Sequence, residues 1–127
     1  MKWLVGVAYH FSVATENKKE MRPPEKALRA ICEILAQHHI RVEGIILFGS
    51  RARGEARPDS DWDLCVLIDR DLRFDQRRQL LTEIKRELAR LRVPNDIVLK
   101  SRKQFHRTKT CPGHLSYEIA REGVPIS

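Results

Sequence analysis

The sequence predicts an α/β fold, a small β-sheet with helices packed on it. Val42 to Phe48 (VEGIILF) and Trp62 to Ile68 (WDLCVLI) are short apolar runs rich in strand-forming residues. Asn95 to Leu99 is a third. Apolar residues at helical spacing fill the segment before the first run and the segment between the second and third.

Each element follows from local chemistry. Pro23-Pro24 opens the first helix, EKALRAICEILAQHH, where proline suits the first turn. Leu28, Ile31, Cys32 and Leu35 form its expected buried stripe. In the second strand, side chains alternate, so Asp61 and Asp63 share one face. Trp62, Leu64, Val66 and Ile68 take the other, toward the core. Phe74, Leu80, Leu81, Ile84, Leu88 and Leu91 mark a second helix from about Asp75 to Leu91. Glu83 with Arg86 and Glu87 with Arg90 lie on its outer side. Pro94 lies beyond its end.

In the third strand Asp96 and Val98 share a face, opposite Ile97 and Leu99. The intervening helix supplies a crossover, so this strand is expected parallel to the second. Asp96 would then join Asp61 and Asp63 at one end of the sheet. Ser101 to Cys111 reads as a polar, basic loop, and Leu115 to Glu122 as a short terminal helix before Gly123. The chain shows no internal repeat, low-complexity tract or linker.

The chain of 127 residues suits one domain, residues 23–127, preceded by an extension over residues 1–22. Met1 to Ala14 resembles a secretion signal only faintly, because Tyr9 and His10 interrupt it. Translation from Met21 and an added edge strand, Trp3 to Ala8, are the other readings. No apolar run reaches the length of a membrane span. Three cysteines, Cys32, Cys65 and Cys111, are far apart and form no C-x-x-C, which fits a reducing, cytoplasmic setting. His38-His39 and Cys111-Pro-Gly-His114 lack the partners zinc needs. A net charge of +7 favours anionic partners, although a solvated basic surface is the commoner cause of such an excess. Nucleic acid ranks last among such partners, for want of aromatics to stack on bases.

The chemistry concentrates between the first two strands. Gly49-Ser50 is followed by ten residues and then Asp61-Trp62-Asp63. A glycine lets backbone come close to a ligand, and successive N–H groups in such a turn make an anion nest. Arg51 and Arg53 add charge and fork geometry suited to phosphate, with a plain surface role as the alternative. Glu55 and Asp59 are expected to be solvated. No Gly-Lys-Ser/Thr follows, which excludes a Walker loop. Two carboxylates about 4 Å apart repel by roughly 4 kcal/mol at an effective dielectric near 20. A protein raises one pKa or binds a cation there. Mg²⁺ fits, taking one or two carboxylates plus substrate phosphates.

The Gly-Ser, ten-residue, Asp-x-Asp pattern closely resembles the minimal nucleotidyltransferases, small members of the superfamily that includes DNA polymerase beta. The likeness runs from about Pro23 to the end, including Glu118 to Val124. It implies a small mixed sheet with helices packed on it. It also implies triphosphate binding by Gly49 and Ser50, and metal binding by Asp61 and Asp63. The family's third carboxylate matches Asp96, as a metal ligand or as a base for the attacking hydroxyl. The alternative for Asp96 is a structural one, capping the turn after Pro94.

The resemblance further implies transfer of AMP from ATP, with Mg²⁺, to a hydroxyl of a partner. In that family the enzyme commonly pairs with a helical HEPN protein, a toxic ribonuclease, and acts as its antitoxin by modifying a tyrosine. A homo- or hetero-oligomer is compatible with this. Two further readings stand beside it: a nucleotide-binding antitoxin that neutralises by complex formation, and transfer to a small molecule such as an aminoglycoside.

Overall fold

The apolar runs do form strands, and they meet in one sheet. In the computed structural model, which describes residues 22–126, the chain runs as α1 (Glu25–Gln37), β1 (Val42–Phe48), α2 (Gly49–Ala52) and β2 (Trp62–Ile68). It continues as α3 (Phe74–Arg90), β3 (Asn95–Ser101), α4 (Arg102–Thr108), α5 (Leu115–Glu122) and β4 (Val124–Pro125). The readings made for the N-terminal extension fall on residues 1–21, outside the described residues.

The sheet order is β3-β2-β1-β4. β1 pairs antiparallel with β2 and with β4, while β2 and β3 are parallel, so the sheet is mixed, as expected. The helix between β2 and β3 is the crossover that parallel pairing requires.

Alternation divides the interior into two layers. Leu64, Val66, Ile68, Ile97 and Leu99 face α1 and α3, together with Ile31, Leu35, Ile84 and Leu88. Trp62 belongs to this layer, as expected for its side of β2. On the other face Ile46, Cys65 and Leu67 pack with Phe105 of α4 and Ile119 of α5, and Val98 leans on them. The strands are therefore covered on both faces, which is why they read as continuous apolar runs.

Three local expectations are corrected. Cys32 is exposed, because the buried stripe of α1 centres on Ile31 and spreads toward Ala27, Ala30 and Ile34. Phe74 begins α3 but is 73% exposed, because the buried stripe of that helix runs through Leu80, Ile84 and Leu88. The segment expected to be a loop after Ser101 is helical over Arg102–Thr108. Ser101 Oγ accepts from Gln104 N at 2.9 Å and donates to the Asp71 carboxylate. Ser101-x-x-Gln104 is the start signal that marks this helix in the sequence.

β4 is a strand the sequence did not announce. It is two residues long and pairs Val124 with Leu47 and Pro125 with Ile46. Gly123 makes the turn into it. A Cβ there would overlap the carbonyl of Ile119 and the side chain of Ile46.

Candidate active site

The end of β1, the start of β2 and the start of β3 lie side by side. Phe48 is the register partner of Asp63, and Asp63 is the register partner of Asp96. Neighbouring strands run about 4.8 Å apart, and in-register side chains share a face. Asp63 and Asp96 therefore project together, as the parallel crossover predicts. Asp61 sits one residue before β2, exposed beside them. The backbone N–H of Trp62 donates to Pro94 O at 2.9 Å, which ties the two aspartate-bearing strand starts together.

Gly49 follows directly on β1, with φ of 73°, in the left-handed region that glycine tolerates. Its missing side chain matters more than its torsion. A Cβ built there would overlap Asp63 Oδ2, so the backbone of the Gly-Ser turn lies directly against the carboxylate. Ser50 is half-buried in the same turn, and its carbonyl accepts from Glu55 N at 2.9 Å. The turn and the carboxylate to which the motif's resemblance gives phosphate and metal thus adjoin.

Burial raises the pKa of Asp63, and the charges of Asp96 and Asp61 raise it further; Arg53 and Arg51 pull it back. Asp63 is half-buried, with the Gly49 backbone directly against its carboxylate. Like charges brought this close favour either a retained proton or a bound cation. Among the described residues, no three His, Cys, Asp or Glu side chains close into a cage of their own. An open set of carboxylate oxygens beside a glycine turn is chemically suited to Mg²⁺ carried on a triphosphate, which would bring the remaining oxygens.

The arginines are placed unequally. Arg53 donates to Glu55 and, at 3.3 Å, to Glu122 of α5, linking the loop to the terminal helix. Arg51 turns back along its own loop. Its Nε and Nη2 donate to Ser60 O at 3.2 and 2.8 Å, and Nη2 also reaches Pro58 O at 3.2 Å. Its guanidinium lies 4.0 Å from the centroid of the Trp62 ring. Nothing in residue spacing announced that stacking. The aromatic residue between the two aspartates was the available signal.

Residues 29–127 match the family model described as Polymerase beta, Nucleotidyltransferase. No curated protein matches the chain. One similar solved structure is a toxin-antitoxin with AMP-PNP, at TM-score 0.51 and 21% identity over 78% of this chain and 71% of that one. Another is a mutant of the toxin-antitoxin MntA-HpeT, at TM-score 0.50 and 19% identity with the same coverage. At such identities the likeness is one of fold. The family match spans most of the sequence and contains every residue of the Gly-Ser and aspartate cluster, so this chain belongs to the polymerase beta nucleotidyltransferase family.

Proposed function

We propose that the protein transfers AMP from ATP to a hydroxyl of a partner protein, with Mg²⁺, as the antitoxin of a toxin–antitoxin pair. The observation that carries this is the contact of the Gly49 backbone with the Asp63 carboxylate, with Asp96 in register beside it. A nucleotide-binding module alone has no need of a third carboxylate there. Support for the partner comes from the solved toxin-antitoxin structures of similar fold, one of them holding AMP-PNP. A HEPN-type helical protein is the partner this reading names, in the cytoplasm; no helix among the described residues is long and apolar enough to cross a membrane.

In this reading Gly49 and Ser50 orient the triphosphate through backbone N–H groups and the Ser50 hydroxyl. Arg51 and Arg53 add positive potential to the same end of the sheet. Asp61 and Asp63 would hold Mg²⁺, which when bound neutralises charge on the triphosphate and on the leaving pyrophosphate. Asp96, exposed at the rim, either completes that oxygen set or takes the proton of the attacking hydroxyl. The acceptor oxygen forms a bond to the α-phosphorus, the bond to pyrophosphate breaks, and the hydroxyl proton leaves to Asp96 or to water. Positioning and electrostatics then supply the rate enhancement.

The test is label transfer from α-³²P-ATP in the presence of Mg²⁺, with the product of the neighbouring gene as acceptor. Label on that protein, lost in Asp61→Asn, is the expected result. A tight complex without label would overturn catalysis in favour of neutralisation by binding. Absence of both would redirect the search to small-molecule acceptors.

A further inference from the structure

The loop between Ser50 and Asp61 has a mechanical problem. It must deliver Asp61 to a fixed place, yet Arg53 to Asp59 are all exposed and contribute nothing to either apolar layer. Its first half is held by Glu55 N donating to Ser50 O at 2.9 Å and by Arg53 donating to Glu122 at 3.3 Å. Toward Asp61 its own bonds are two: Arg57 N donates to Ser60 Oγ at 2.8 Å, and Ser60 N donates to Arg57 O at 3.0 Å. Surface loops with so little packing open locally at small cost.

Arg51 supplies what the loop lacks. Its guanidinium spans the loop's closing end: Nε and Nη2 both donate to Ser60 O, and the same Nη2 also reaches Pro58 O and, at 3.4 Å, Arg57 O. The same group lies over Trp62, which is buried, at 4.0 Å. A planar, always-charged fork can donate in its plane and stack on its face at once; an ammonium cannot. Asp61 is therefore bracketed. The residue before it is held by its carbonyl, and the residue after it carries the stacked ring and donates to Pro94 O.

We infer that Arg51 is a positioning residue: it clamps the loop onto Trp62 so that Asp61 is presented to the metal, and it does not itself bind phosphate. The clamp is a property of the free protein; what it positions rests on the nucleotidyl-transfer reading above.

Three measurements test it on the full chain. In wild type, the Arg51 Nε–H resonance is expected to be protected from exchange, shifted by the Trp62 ring, and unmoved by Mg-ATP. An unprotected resonance, or one displaced by nucleotide, would overturn the clamp without any mutation. In metal-free Arg51→Lys, amide exchange over residues 54–61 is expected to rise about tenfold or more, the cost of losing hydrogen bonds from a charged donor, with α1 and β1 unchanged. Unchanged exchange over 54–61 would overturn the proposal.

Finally, Arg51→Lys is expected to weaken Mn²⁺ binding in the presence of ATP, read by electron paramagnetic resonance, and to lower kcat while leaving KM for ATP within about twofold of wild type. Trp62→Phe, which keeps an aromatic face, is expected to retain most of both. A raised KM with intact kcat would make Arg51 a phosphate ligand. Should wild type neither bind Mn-ATP nor transfer label, the functional reading fails, while the resonance and exchange results still decide the clamp.

Discussion

The backbone of Gly49 and the carboxylate of Asp63 occupy adjoining space: a single methyl group on Gly49 would collide with Asp63 Oδ2. The Gly-Ser turn and the start of β2, to which we assign phosphate and metal, are thereby locked at one distance. Gly49→Ala is expected to cost about 1–2 kcal/mol for the left-handed backbone. Displacing the carboxylate is expected to cost far more in function, about a hundredfold in transfer rate, because an error of about 1 Å in placement has that effect. Thermal unfolding and label transfer measured on the same sample separate the two losses.

Asp63 gives a prediction whose stability and activity signs are opposite. Its pKa is raised by burial and by Asp96 and Asp61. The folded protein thus holds this proton more tightly than the unfolded chain does. The favourable contribution is complete at low pH and is lost as pH rises through the folded-state value, so at neutral pH the ionised group costs stability in the metal-free protein. Asp63→Asn is expected to raise the metal-free melting temperature at pH 7 and to flatten its fall between acid and neutral pH. It is expected to lower transfer by about a hundredfold or more. Added Mg²⁺ with ATP should stabilise wild type and leave the variant unmoved. Wild-type affinity for Mg-ATP should weaken on acidification at a pH above the usual aspartate range.

The cysteines report on the second apolar layer. Cys65 is fully buried beneath α4 and α5, and burial pushes its thiol up to about 12. Cys32 and Cys111 are exposed, with the Cys32 thiol raised by partial burial and then by Glu25 and Glu33. At pH 8, native protein is expected to react with a thiol reagent at Cys111 and, more slowly, at Cys32. Cys65 should react only after denaturation. Fast labelling of Cys65 in native protein would mean that α4 and α5 do not cover the sheet.

The core assignment is tested by two residues of α3. Leu88 is fully buried, and Leu88→Ala is expected to cost about 2–5 kcal/mol in denaturant unfolding. Phe74, on the same helix and 73% exposed, should tolerate Phe74→Ser within about 0.5 kcal/mol.

Much of this arrangement was legible because it is local. Alternation along Trp62 to Ile68 separated Trp62 and the core-facing residues from the aspartates, and the structure keeps that division. Helical spacing gave α1 and α3, with errors only where a stripe's flank or an end had to be assigned, at Cys32 and Phe74. The Gly-Ser to Asp-x-Asp spacing singled out the site because chain connectivity limits how far those groups can separate. The helix after Ser101 was also written locally, in its Ser-x-x-Gln start, but a run of basic residues obscured the lone buried Phe105.

The sequence by itself determined β1, β2, β3, α1, α3 and α5, and that a glycine, a serine and two aspartates belong to one turn-and-strand unit, because backbone torsion and side-chain alternation act over a few positions. Only the tertiary structure decided that Asp96 stands in register with Asp63, that Gly49 touches the Asp63 carboxylate, and that Arg51 lies on Trp62. Those relationships depend on strand register and on side chains meeting across the fold, and such contacts are set by the packing of the whole domain.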